Sequence, residues 1–125
     1  MSDEDFFEDL IKSFPILKTD IEEEDRYMIY MRMEVFAGYT NKLIEENKIP
    51  EITKCFDFLE SKIDLMSDTL KNALNVSYCE ALLLGKNANI MAPIVRIMPT
   101  KLSIIYAEYE QYYEDICKRH LDSGQ

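Results

Sequence analysis

At 125 residues and 14.7 kDa the chain is the size of one domain, long enough to bury a core without disulfide staples. Its 47% apolar and 30% charged residues are ordinary for a globular protein, and three glycines with four prolines leave too little turn material for a hairpin-rich β fold. A formal net charge of −10 argues against nucleic acid or an anionic membrane surface as a partner.

The first 25 residues hold ten acidic and two basic side chains, so most of the charge excess sits in the first fifth of the chain. They begin with Ser2 and Asp5 in the S-x-x-D spacing of a capping box, ahead of DEDFFEDLIKSF. Phe6, Phe7, Leu10, Ile11 and Phe14 form one apolar stripe, and Pro15 predicts a stop near Ser13. PILKTDIEEED then reads as a connector. No secretory signal peptide is expected, because the first ten residues are acidic.

A second helix is predicted from about Arg26 to Asn47, with Ile29, Met33, Phe36, Thr40 and Leu43 along one seam. Tyr27, Met28, Met31, Val35 and Tyr39 widen its apolar coverage, which places it centrally or at an interface. Pro50 suits the first turn of a third helix with Ile52, Cys55, Phe56, Leu59, Ile63 and Met66 on its face. Ser67 or Asp68 caps a fourth, running to about Leu84, with Gly85 as the left-handed residue that closes it. A short fifth helix, IMAPIVRIM, follows, with Pro93 tolerated in its first turn. After Pro99 the last helix is predicted from about Thr100 to His120, with Leu102, Ile105, Tyr109, Tyr112 and Ile116 as its seam. The expected fold is therefore all-α: a single domain of five or six helices, as a bundle or as short stacked helical pairs. Residues 118–125 are expected to fray. No run approaches the length of a membrane span.

Little in the chain looks like chemistry. Cys55, Cys79 and Cys117 make no CxxC pair, and their apolar surroundings suggest buried, reduced thiols of a cytosolic protein. His120 stands alone near a helix C-terminus, where a cation offsets the helix dipole. There is no metal-binding spacing, calcium loop or phosphate loop, so neither a metal nor a cofactor is expected, and no enzymatic activity. That leaves Glu60 and Glu80, two carboxylates on apolar helices. They could form an acid/base pair, but a structural role is the simpler reading: accepting hydrogen bonds from a neighbouring helix start, or pairing with Arg32 or Arg96.

One stretch carries a family resemblance. In FDFLESKIDLMSDTLKNALNVSYCEALLLG, Phe56 and Glu60 are followed by Ser67 and Asp68, then by Tyr78, Glu80 and Leu82. With the upstream MEVFAGYTNKLIEENK, this resembles small bacterial all-helical proteins that include immunity proteins of contact-dependent growth inhibition toxin systems. The resemblance implies a non-enzymatic, cytoplasmic protein that binds the C-terminal domain of one cognate toxin and covers its active site or substrate groove. An acidic inhibitor fits a basic toxin, most simply a nuclease. The steering surface is expected at Asp3, Glu4, Asp5, Glu8, Asp9, Asp20, Glu22, Glu23, Glu24 and Asp25. A second contact is expected on an acidic, aromatic edge of the last helix, from Tyr106, Glu108, Glu110, Tyr113 and Glu114. The alternative is an acidic helical adaptor or regulatory module with no toxin partner.

Overall fold

In the computed structural model, which describes the backbone of residues 1–123 and the side chains of residues 1–119, every regular element is helical. Seven helices follow in chain order: α1 (Asp3–Ser13), α2 (Lys18–Glu23), α3 (Ile29–Glu45), α4 (Ile49–Lys62), α5 (residues 68–84), α6 (Met91–Arg96) and α7 (Thr100–Ser123). The count exceeds the expected five or six because the segment read as a connector folds. Leu17 and Ile21, one helical turn apart, are both buried, so α2 has an apolar anchor within its acidic run. His120 and the end of the tail, residues 124–125, lie outside the described side chains, while the α7 backbone continues to Ser123.

Local chemistry explains most boundaries. Ser2 accepts from the Asp5 amide, and Asp5 accepts from the Ser2 amide in return, so two orphan donors of α1 are satisfied at once. Ser67 accepts from the Leu70 amide at the start of α5. Pro50 lies in the first turn of α4, where its missing N–H costs nothing. Gly85 departs from expectation: its φ is −74°, an ordinary extended conformation. Glycine is required there for space, since a Cβ would collide with the Ala81 carbonyl oxygen.

α3 is the central helix. Met33, Phe36, Ala37, Thr40, Leu43 and Ile44 are buried on it, and α2, α4 and α5 supply the opposing faces. Phe36 meets the rings of Phe14, Phe58 and Tyr78 at centroid distances of 5.6, 6.0 and 5.2 Å. Truncating such a ring costs about 3–5 kcal/mol, a large share of a domain's stability.

α5 is not uniform. Residues Leu74–Cys79 form a π-helical segment between two α-helical ends. Its wider turn places Leu74, Ser77, Tyr78 and Cys79 in the interior, against α3. Thr40 has one hydroxyl proton, which it donates to the Phe36 carbonyl (3.0 Å), so the Tyr78 hydroxyl donates to Thr40 Oγ1 (2.8 Å). This buried relay fixes the π segment on the central helix with no polar atom left unpaired.

The cysteines divide. Cys55 and Cys79 are buried as expected, and burial pushes both thiols up to about 12. Cys117 is exposed on α7, against the expectation of burial.

Candidate interaction face

α7 is held in place by the two carboxylates that the sequence singles out. Both oxygens of Glu60, on α4, accept backbone amides at the start of α7: Lys101 at 2.9 Å and Leu102 at 2.9 Å. A carboxylate at a helix N-terminus meets unpaired N–H groups and the positive end of the dipole. Lys101 in turn makes an ion pair with Asp64. About two turns further on, the Tyr109 hydroxyl donates to Glu80 on α5 at 2.7 Å. Neither glutamate is paired with Arg32 or Arg96. Arg32 instead donates twice to the Glu24 carbonyl, at 3.2 and 3.0 Å, and lies over the Phe7 ring.

Docked this way, α7 and α5 enclose a cleft of about 260 Å³ lined by Asn72, Asn75, Val76, Glu108, Tyr109 and Tyr112. Val76 also borders a shallower depression over the π segment, beside Glu34 and Glu80. Glu34 borders a third, between α2 and α3, with Asp20, Glu23 and Glu24 on its rim and Gly38 on its floor. The shared residues join the three into one strip across α2, α3, α5 and α7. Its lining includes the carboxylates of Asp20, Glu23, Glu24, Glu34, Glu80 and Glu108, against Lys42 as the basic residue. Such a strip is a local negative field.

The residues expected from the sequence fall in several places. Asp3 accepts from Ser67 Oγ at 2.6 Å, Asp5 is used in the α1 cap, and Asp9 pairs with Lys62 at 2.7 Å. These three are tied to the scaffold, whereas Glu4 and Glu8 are exposed on α1. Hydrogen bonding to Ser2 holds the Asp5 carboxyl below its usual range. Asp20, Glu22 and Glu23 are exposed on α2, and Glu24 is half-buried at its C-cap. Asp25 accepts the Tyr27 amide at 2.9 Å in a local turn.

The expected acidic, aromatic edge of the last helix is corrected in two ways. Tyr106 is only 2% exposed and packs in the core, so it cannot anchor a partner; burial, reinforced by the nearby Glu110, pushes its phenol up to about 12. Glu110 and Glu114 also lie on the opposite flank from Glu108, since two residues of helix turn by about 200°. The seam itself runs through Leu102, Ile105, Tyr106 and Tyr109, while Tyr112 is 58% exposed at the mouth of the cleft. Tyr113 is half-buried beside Cys117, and its phenol is raised chiefly by the hydrogen bond with that thiol. Glu34, Asn72, Asn75 and Tyr112 complete the strip without having been expected there. The signal available for them is the polar flank of α3 and α5, which becomes a site only once the helices are placed.

Among the described residues no cluster of three or more His, Cys, Asp or Glu side chains is arranged to hold a metal ion. No helix among them is long and apolar enough to cross a membrane. Fold and face together define a small all-helical domain with an acidic strip edged by tyrosines. The chain belongs to a family described as a domain of unknown function (DUF7674), which matches residues 7–114 and so includes every residue that lines the strip. No curated protein and no solved structure matches the chain.

Proposed function

We propose that this protein binds a basic protein domain through the acidic strip and thereby blocks it, as an immunity protein of the contact-dependent growth inhibition kind blocks the C-terminal domain of its toxin. The observation that carries the reading is the imbalance of the strip: carboxylates from four helices line it, with Lys42 as the basic residue. A nuclease is the partner that suits this surface best. Such an enzyme gathers positive charge to hold phosphates, and a rigid acidic face competes for the same groove while steering fast association. In this reading Glu60 and Glu80 act as scaffold groups rather than an acid/base pair. The Glu60 oxygens are occupied by backbone amides, and Glu80 orients a tyrosine.

The test is binding to the C-terminal domain encoded by the neighbouring gene, measured at rising salt, together with protection of cells that express that domain. Tight association that weakens with salt, plus rescue of growth, is the expected result. Replacing Glu22, Glu23 and Glu24 with alanine slows association more than it speeds dissociation. Absence of binding at low ionic strength defeats the proposal. Binding without protection defeats the toxin-blocking part and leaves an adaptor.

A further inference from the structure

The cleft between α5 and α7 differs from the rest of the strip in being aromatic and rich in hydrogen-bond acceptors. Tyr109 and Tyr112 stand side by side, ring centroids 5.9 Å apart. The Tyr109 ring is fixed because its hydroxyl is committed to Glu80. Asn72 spends an Nδ2 proton on the Tyr30 hydroxyl at 2.8 Å, which orients its amide and leaves Oδ1 as an acceptor. Glu108 takes part in none of the ion pairs among the described residues. The walls thus offer a carboxylate, the amide oxygens of Asn72 and Asn75, and two phenol rings.

We infer that this cleft is a receptor for a guanidinium group, supplied by one arginine side chain of the partner. A guanidinium has five N–H donors in a plane and no acceptor, so it matches a site dominated by acceptors. Its flat face stacks on tyrosine, and its edge pairs with a carboxylate through two bonds. An ammonium is a compact, strongly hydrated point charge that uses the ring faces and the carboxylate edge less completely. A buried arginine seated against aromatic walls is also the kind of anchor on which interface energy concentrates. The inference rests on the reading of the strip as a contact for a basic protein, and it names the side chain that the cleft selects.

The experiment uses the intact protein and three blocked tripeptides, acetyl-Gly-Arg-Gly-amide and its lysine and citrulline counterparts. Binding is followed by NMR at the Asn72 and Asn75 side-chain amides and the Tyr112 ring. The arginine peptide shifts these signals saturably; the lysine peptide binds several-fold more weakly; citrulline, isosteric but neutral, does not bind. Tyr112→Ala and Glu108→Gln each weaken the arginine peptide about fivefold or more, and both positions are exposed enough for the variants to fold. Equal shifts from citrulline, or arginine shifts that survive Tyr112→Ala, overturn the inference. The broader reading fails separately. If a basic domain binds in a salt-sensitive way while the arginine peptide leaves the cleft unshifted, the receptor is refuted and the strip stands. If the arginine peptide binds and no basic domain does, the cleft stands and the blocking role falls.

Discussion

Removing the Glu60 carboxylate tests how α7 is held. Glu60 accepts two backbone amides of α7, both at 2.9 Å, across a separation of about forty residues in sequence. A hydrogen bond to a charged group contributes about 1.5–3 kcal/mol when well shielded, and loss of a helix cap costs about 0.5–2 kcal/mol. Glu60 is half-buried, so water satisfies part of what the variant loses. Glu60→Ala is therefore expected to cost about 2 kcal/mol. An unfolding entropy of roughly 2.1 cal/mol/K per residue converts this to a fall in Tm of about 8 °C for 125 residues. Glu60→Gln keeps one acceptor and should lose about half as much. Thermal unfolding by circular dichroism reads the size of the effect, and amide hydrogen exchange reads its place. Protection should drop first at the start of α7, around Lys101 and Leu102. A Glu60→Ala protein that melts within about 2 °C of the parent, or keeps full protection there, refutes the capping role.

Gly38 is exposed on α3, and a Cβ added to it meets nothing within 4 Å. Gly38→Ala should raise stability by about 0.5–1 kcal/mol in a denaturant titration, and should weaken partner binding if the floor of the strip needs close approach. Tyr78→Phe removes the donor to Thr40 from a fully buried relay, which should lower the denaturant-derived stability by about 1 kcal/mol without altering the fold. A thiol reagent should modify Cys117 alone in the native protein, and Cys55 and Cys79 only after denaturation; a fast native reaction at either buried thiol counts against the core packing. Alkaline pH should destabilise the fold. Unfolded thiols and phenols lose protons near 9 and 10, whereas Cys55, Cys79 and Tyr106 hold theirs to about 12 in the folded state. The folded chain then carries protons that the unfolded chain lacks. Stability should be fully present below pH 9 and fall steadily from there toward 12, which urea midpoints at successive pH values would show.

Much of the architecture was legible beforehand because it is written in neighbouring residues. The seam Ile52, Cys55, Phe56, Leu59, Ile63 and Met66 is buried throughout, and the α3 seam differs only at half-buried Ile29. The last helix was harder. A dense run of tyrosines lets several faces look apolar, and only docking on α4 and α5 turned Tyr106 inward and Tyr112 outward. α2 carries only a weak periodic signal, one buried isoleucine among carboxylates. The π segment leaves no local signature either, since an extra residue in a turn is defined by where its side chains find room.

The amino-acid sequence by itself determined the helical class, the caps at Ser2 and Ser67, the proline-marked starts of α4 and α7 and the surplus of negative charge. Each depends on residues within a turn or two of one another, where backbone geometry and side-chain reach are fixed by spacing. Tertiary structure alone decided which carboxylates became scaffold and which became surface. Glu60 and Glu80 are spent on groups 41 and 29 residues away, while Glu34 and Glu108, from separate helices, end on one strip. The reason is rotational: a helix's own pattern defines its apolar stripe, but the neighbour it packs against sets which polar flank is covered and which is left to meet a partner.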